Sequence, residues 1–557
     1  MFFLLSTLWF IRETKAILFW LYLWQLKEYH IGRFLDHFRT EKGEKLLINK
    51  PIFLKILLFL AFLLTLFVWS PFVFRVSVQY HPLLPYVFQE AGGLIFELSL
   101  IFLFVLYLLE TGKFLTDYFQ KKLIKPVLTK KTAFLISVAL VLEILFLFIL
   151  FQYIEEIIWY ALGILVFDIL TPTIVSVIVL LFQPLAVLGR NQIIKKASEK
   201  RAQFQNLLVI GIAGSYGKTA TKEFLATILS ERFKVLKTAE HQNSEVGVSL
   251  CILNDLKPEH EIFIVEMGAY NKGGIKLLCD IAKPKVGILT GINEQHMATF
   301  GSQENIIKGK YELIESLPED GLAIFNGDNE YCFELYKRTL IKKRVYGLQS
   351  SISGLPLDIL AYNVRAEKDF ITFRVALRDE LADFKVNLMG FQNISNVLAA
   401  VICARELGMT LEEISKTCVD IKPQQSGMQL KKGIDGLNII DATYSANPDG
   451  VLSHLEYLKI WPQKKVIVMP CLIELGKASK KVHKRIGQKI GEVCALAIIT
   501  TKDRFEEIQE GAGDKALFIE NPKEIFEKLK SFCNPGDLIL LESRVPSQLV
   551  SLLVEEF

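Results

Sequence analysis

Apolar positions along this chain follow two regimes. In the first 190 residues they form long blocks, and beyond that they form short runs separated by stretches of helical periodicity. Four blocks, Ile56 to Phe74, Gly92 to Leu109, Thr132 to Tyr153 and Trp159 to Leu188, are each near or above the roughly 20 residues that cross a bilayer's hydrocarbon. The last contains Asp168 and Pro172, so it is expected to tilt, kink or break. Met1 to Phe10 and Ala16 to Leu26 are also apolar, but Arg12, Glu13 and Lys15 divide them, a pattern that suits an interfacial helix or signal-like anchor better than a clean span. The reading is a helical membrane region over 1–190 with four to five spans.

The second regime alternates strand-like and helix-like segments, which predicts α/β architecture with mainly parallel sheets. Strands are expected at Leu207 to Ile212, Ile262 to Glu266, Val286 to Thr290, Ala323 to Asn326, Leu437 to Asp441, Lys465 to Met469, Ala497 to Thr500 and Leu538 to Glu542. A composition change near Lys422 to Gly427, followed by a fresh strand-helix series, divides this part into domains over 203–425 and 426–557.

Composition agrees with a membrane region, since 51% of residues are hydrophobic. The net charge of +4 is modest and gives no argument for nucleic acid. Its distribution says more. The connections Lys27 to Lys50 and Lys113 to Lys131 are rich in Lys and Arg, whereas Ser77 to Ala91 and Ile154 to Ile158 contain none. By the positive-inside rule the basic loops and everything after the last span are cytoplasmic, on the side where ATP is available. The amphipathic stretch Tyr29 to Phe38 suits the inner leaflet. Glu97, Glu143 and Asp168 fall inside three different predicted spans, either lining a substrate or lipid-headgroup site or lying near the interface, protonated or hydrogen-bonded between helices. All eight cysteines lie in the cytoplasmic part without a C-x-x-C pair, and read as reduced and mostly buried.

The most specific chemistry is Gly211-Ile-Ala-Gly214-Ser215-Tyr-Gly217-Lys218-Thr219, between a predicted strand and the helix expected over Thr221 to Phe233. Strand, glycine turn and helix make a phosphate loop, in which backbone N–H groups and the helix N-terminus face the phosphates, Lys218 neutralises the outer ones and the Thr219 hydroxyl is placed to bind Mg²⁺. Ile212 stands where the strict pattern has glycine, so the loop is a variant. Other polar residues fall at or just beyond strand ends, the usual site position in open α/β sheets: Glu266, whose carboxylate could reach Mg²⁺, then His296, Lys310 and Asp441.

Taken in order, these residues resemble the Mur ligase family, the ATP-dependent amide-forming enzymes of peptidoglycan precursor assembly. The resemblance rests on Gly-Ser-Tyr-Gly-Lys-Thr, Asn243-Ser-Glu245, Glu266-Met-Gly-Ala, Asn293-Glu-Gln-His296, Lys308-Gly-Lys310, Asn326-Gly-Asp328, Gly390-Phe-Gln-Asn393-Ile-Ser-Asn396 and Asp441-Ala-Thr-Tyr444-Ser-Ala-Asn447-Pro. The Glu-Met-Gly-Ala and Tyr-x-Ala-Asn-Pro runs, with Glu474-Leu-Gly476 and His483, are most similar to the branch that adds D-alanyl-D-alanine to a muramoyl tripeptide. The resemblance implies a P-loop central domain and a Rossmann-like C-terminal domain. It also implies ATP and two Mg²⁺ sites, with a peptide carboxylate activated as an acyl phosphate and attacked by an amine. Lys218, Lys310, His296 and Glu266 would be catalytic, Thr219 and Glu266 would hold one Mg²⁺, and His296 with Lys310 would serve a second. Lys310 matches the family lysine that becomes a carbamate, with a plain Lys–phosphate contact as the alternative. Gly214, Ser215, Gly217, Lys218, Thr219, Asn393, Asn396 and Asp441 would bind nucleotide, and Asn243, Glu245, Tyr444 and Asn447 substrate.

Two departures from the family pattern stand out. The run after the central domain is Gln-Gln-Ser-Gly427-Met428, without the usual arginine, for which Lys431 or Lys432 could substitute. The residues between Leu188 and Leu207 are too few for the domain that grips the UDP-sugar in soluble relatives, and the membrane region occupies its place. The expectation is a multi-pass ligase of the cytoplasmic membrane whose muramoyl-peptide substrate is UDP-linked or lipid-linked, with membrane lipid and other wall-synthesis proteins as partners. The alternatives are a ligase for another acid, such as a folate precursor, and a silent nucleotide sensor.

Overall fold

The computed structural model describes all residues except 48, 81–82, 241, 349–356, 378–379, 424–426, 445–446 and 556–557. Residues 424–426 of the departing run and 445–446 of the Tyr444 to Pro448 run therefore lie outside the described residues. The chain forms two compact units, Met1–Gly189 and Arg190–Phe557.

The first unit is helical: α1 (Phe2–Leu26), α2 (Ile31–His37), α3 (Glu41–Leu47), α4 (Lys50–Val68), α5 (Pro71–Tyr80), α6 (Leu84–Phe119), α7 (Lys130–Tyr153) and α8 (Ile157–Leu181). Four helical stretches, Gly43–Val68, Leu84–Phe119, Lys130–Tyr153 and Ile157–Ala202, are long and apolar enough to cross a membrane. The boundaries differ from the sequence reading for identifiable reasons. The first block ends at Val68 rather than Phe74 because Pro71, which cannot donate to the ladder, opens a new helix. Helix α8 runs through Pro172 unbroken. The change comes at Phe182, after which α9 (Gln183–Ala202) begins with Pro184 in its first turn.

The opening stretch is one continuous helix and does not split at its charges. It packs on α6, α7 and α8, burying Trp9, Leu21 and Trp24. Its charges turn inward: Glu13 is fully buried and Arg12 pairs with Glu110 at 2.8 Å and with Asp168. Of the three acids singled out in the sequence, Asp168 is ion-paired, Glu143 is buried, and Glu97 is exposed on the surface of this unit.

The second unit holds two sheets. The first has the order β2-β3-β1-β4-β5-β6-β7-β8-β9, with β1 (Leu208–Ala213), β2 (Val235–Lys237), β3 (Ile262–Glu266), β4 (Val286–Leu289), β5 (Leu322–Asn326), β6 (Lys342–Leu348), β7 (Ile359–Ala366), β8 (Ile371–Leu377) and β9 (Glu380–Val386). The strands from β2 to β7 pair in parallel, and β7, β8 and β9 form an antiparallel extension. Strands β3 and β5 are buried along their whole length, as expected of apolar runs covered on both faces. From β1 the chain moves outward to β2, returns beside β1 as β3, and crosses to the other side as β4. The strand order therefore reverses at β1, and a ligand crevice belongs at that reversal, outside the carboxyl ends of the strands.

Between these strands lie α10 (Lys218–Leu229), α11 (Glu245–Asp255), α12 (Gly274–Ala282), α13 (Met297–Phe300), α14 (Gln303–Glu315) and α15 (Glu330–Arg338), followed by α16 (Gln392–Glu406) and α17 (Leu411–Thr417). The second sheet has the order β10-β11-β15-β12-β13-β14, with β10 (Gln429–Lys432), β11 (Asn438–Ala442), β12 (Lys465–Met469), β13 (Leu496–Ile499), β14 (Ala516–Phe518) and β15 (Leu538–Glu542). Helix α18 (Pro448–Tyr457) follows β11.

Candidate functional site

Strand β1 ends at Ala213 and α10 begins at Lys218, three residues earlier than the sequence reading placed it, so Lys218 and Thr219 belong to the first turn. Two glycines make the turn possible. Gly217 has φ +76°, and a Cβ there would lie 2.4 Å from Asn396 Oδ1. A Cβ on Gly214 would lie 2.2 Å from Thr290 Oγ1. The loop is fastened by the Ser215 N–H, which donates to Gly291 O at 2.7 Å, and by the Asn293 N–H, which donates to Ser215 Oγ at 3.2 Å. Lys218 Nζ folds over the loop, donating to Gly214 O at 2.9 Å and Ser215 O at 3.3 Å. Burial lowers its pKa against the opposing pull of Glu266.

Glu266 closes β3 and is 5% exposed. Burial raises its carboxyl, but Lys218, Asn243, Lys222 and Thr219 together outweigh that, leaving it below the ordinary carboxylate value. Asn243 Nδ2 donates to Glu266 Oε1 at 2.9 Å. Lys222, one turn beyond Lys218 and fully buried, pairs with Glu266 at 3.5 Å and Glu223 at 3.3 Å. Lys310, on α14, is 2% exposed and donates to Ala269 O at 3.2 Å. Burial, helped by Lys218 and opposed by Glu312, pulls its pKa down to about 7. His296 caps α13 in the left-handed region at φ +64°. Its Nδ1 lies 2.8 Å from Glu474 Oε2, and its ring meets Tyr270 edge-on at 4.8 Å. Burial lowers the pKa of His296, Lys310 and Lys218 add to the effect, and Glu474 opposes it.

A cavity of about 1110 Å³ adjoins this group. Its wall includes Ser215, Gly217, Lys218 and Thr219 at one end, Asn393 and Asn396 along α16, and Tyr444, Asn447 and Asp449 from the C-terminal part. That is ample for a nucleotide. Glu266, His296, Lys310 and Asn243 are not on the cavity wall: Asn243 bonds Glu266, and Lys218 acts electrostatically on Glu266, Lys310 and His296. Glu245 and Asp441 are also absent from the wall. Glu245 lies in the first turn of α11, 3.4 Å from Arg190 Nη1. Asp441 pairs with Lys431 at 2.6 Å, so the lysine suggested as a stand-in for the missing arginine is engaged there, and Lys432 is exposed. Asn447 caps α18 by accepting from Gly450 N–H at 2.9 Å, and Tyr444 OH donates to Glu240 at 2.8 Å.

The Mur ligase middle domain pattern matches residues 212–404, and the Mur ligase glutamate ligase domain pattern matches 428–544. The UDP-N-acetylmuramoyl-tripeptide–D-alanyl-D-alanine ligase of Synechocystis is 31% identical over 341 residues, which cover 60% of this chain and 71% of that protein. The chain belongs to the Mur ligase family. By that membership it is an ATP-dependent ligase. The Bacillus subtilis ligase of the same name is 29% identical over 60% of this chain and 72% of its own length. Among solved structures, MurF ligase from Thermotoga maritima in complex with ADP superposes with a TM-score of 0.57 and 26% identity, covering 65% of this chain and 83% of that one. MurF from Acinetobacter baumannii has the same fold, with a TM-score of 0.60, 24% identity and coverage of 65% and 80%.

In this Mur ligase the structure adds partners that the sequence reading missed. Lys222 was detectable as a lysine four positions after Lys218. Glu474, quoted only as part of a motif, turns out to hold His296. Asp449 accepts from Asn293 Nδ2 at 2.9 Å, tying the segment after β4 to α18. His483, from the same motif group, is structural: its Nε2 accepts from Leu472 N–H at 2.9 Å, and its Nδ1 bonds Ser479 O at 2.7 Å.

Proposed function

We propose that this ligase joins the amine of D-alanyl-D-alanine, or a similar amino compound, to the terminal carboxylate of a muramoyl-peptide precursor of peptidoglycan. The observation that carries the reading is the convergence of Lys218, Lys310, His296 and Glu266 beside a nucleotide-sized cavity, in a chain whose named relatives are D-alanyl-D-alanine ligases. The substrate carboxylate attacks the γ-phosphorus of ATP and ADP departs. The amine then attacks the acyl carbon, phosphate leaves, and the nitrogen loses a proton. Both reactants of the first step are anions, so the site must supply positive charge.

Lys218 supplies part of that charge. Glu266, kept anionic with the Thr219 hydroxyl as a neighbour, forms a hard oxygen pair suited to Mg²⁺, which keeps most of its waters and takes few protein ligands. Among the described residues no three His, Cys, Asp or Glu side chains converge on one point. When bound, Mg²⁺ would shield the phosphate charge. Lys310, half neutral near pH 7, is in the form that takes up CO₂ as a carbamate, and would then add an anionic oxygen donor. Glu474 fixes the ring of His296.

The helical unit is read as a multi-pass membrane domain with the ligase on the cytoplasmic side. Supporting this, its long helices display outward apolar side chains such as Ile101, Leu109, Phe148 and Leu181. Only residues 203–207 separate α9 from β1, leaving no place there for a separate sugar-binding domain, which favours a lipid-linked substrate. The test is phosphate release by the full chain in detergent with Mg-ATP and D-alanyl-D-alanine, comparing UDP-linked and lipid-linked muramoyl tripeptide. Release is expected only when both dipeptide and tripeptide are present. Release with the lipid-linked form alone would make the helical unit part of the substrate site, and silence with both forms would overturn the reading.

A further inference from the structure

One polar pair in the second unit takes no part in the phosphate loop or in the charges around Glu266. His454, on α18, is 7% exposed, and its Nδ1 lies 2.6 Å from Oε2 of Glu542, the last residue of β15, which is 1% exposed. Ser543, at φ +59°, donates its N–H and its hydroxyl to the other oxygen, Oε1, at 3.1 and 3.2 Å. The helix and strands that carry the pair otherwise pack through apolar side chains: Val451, Leu455 and Leu458 form one buried cluster with Ala442, Leu538 and Leu540. In such surroundings an apolar pair would fill the same volume without the cost of burying charge. The imidazole is also not closed in. His454 lines the cavity of about 1110 Å³, and among the described residues its second ring nitrogen, Nε2, neither bonds a protein group nor is sealed from solvent.

We propose that His454 selects the nucleoside part of the bound nucleotide, accepting at Nε2 a hydrogen bond from a ribose hydroxyl or from the exocyclic amino group of adenine, with Glu542 as the residue that positions its ring. A carboxylate only accepts, so the hydrogen of the neutral imidazole lies on Nδ1 and the lone pair on Nε2. The place of His454 along the cavity follows from α18. Asp449, in the first turn, accepts from Asn293 Nδ2, and the Asn293 N–H donates to Ser215 Oγ in the phosphate loop. The start of α18 is thus fastened at the phosphate end, and His454, five residues on, lies about 7.5 Å farther along the helix. Phosphates held on the loop therefore leave the nucleoside beside His454. Glu542 ends a strand that is parallel to both of its neighbours, at the carboxyl edge where such sheets take ligands. The inference rests on the reading of the cavity as a nucleotide site and adds a selecting group to it.

The test is isothermal titration of the full chain in detergent with ADP, 2′-deoxy-ADP, 3′-deoxy-ADP and purine-riboside diphosphate, each analogue lacking one of the three donors. His454→Ala is expected to weaken ADP binding about 3- to 10-fold and to leave unchanged the affinity for the analogue without the bonded donor. That analogue is expected to bind the native chain about as weakly as ADP binds the variant. Glu542→Gln, which keeps the side-chain shape but not the carboxylate, is expected to lose part of the same discrimination, and it carries the comparison if His454→Ala does not fold. Undiminished ADP binding by the variant overturns the proposal, and so does a loss shared equally by ADP and all three analogues, the mark of a packing defect. A native chain that binds none of the four overturns the nucleotide reading of the cavity and the proposal with it.

Discussion

At the scale of the residue, the site is a group of charges whose values are set by each other. Lys218 holds Glu266 anionic and helps discharge Lys310, so removing it alters more than one contact. Lys218→Ala is expected to lower turnover by about 100-fold or more, the usual cost of losing a preorganised electrostatic contact, with the melting temperature little changed. Near-normal turnover would remove the site assignment. Lys310 carries a second prediction. Its folded-state value lies near 7, below the ordinary lysine value, so from about pH 7 up to that ordinary value the unfolded chain binds a proton that the folded chain does not. Stability contributed by this group therefore rises with pH across that window and is lowest below pH 7. Lys310→Met should flatten the slope of melting temperature between pH 7 and 9, and an unchanged slope would show that the buried amine is already charged.

At the scale of the element, the phosphate loop shows what a local pattern can announce. Strand, glycines and Lys-Thr were legible because each has a local cause: an apolar run, a positive φ, a helix N-terminus. Gly217→Ala is expected to impair nucleotide binding more than folding, since its Cβ would enter the position of Asn396 Oδ1 on α16 at the cavity wall, and its φ of +76° penalises any side chain. Isothermal titration with ADP checks it, and unaltered affinity would mean that the loop relaxes freely. Strands β3, β12 and β15 matched the sequence reading to the residue because strands buried on both faces read as unbroken apolar runs. Strands β6 to β9 went unread. Ile371-Thr-Phe-Arg-Val buries alternate positions, so the signal there is alternation rather than a run. Pairings such as His296 with Glu474, 178 positions apart, have no local trace at all.

At the scale of the whole molecule, a ligase and a helical unit share one chain, and the charge pattern says which side of a bilayer the ligase would occupy. The two basic connections, ahead of α4 and between α6 and α7, lie on one side if α4, α6, α7 and α8 all cross, because two crossings separate them. The connection 154–156 between α7 and α8, which contains Glu155 and Glu156 but no lysine or arginine, then lies on the other. The ligase follows α8 and falls with the basic loops. A reporter inserted at 154–156 should therefore read as external, while one fused after Leu553 should read as cytoplasmic. A cytoplasmic signal at 154–156 would invert the orientation and separate the nucleotide site from its ATP supply, a conflict that would count against the spans themselves rather than against the ligase.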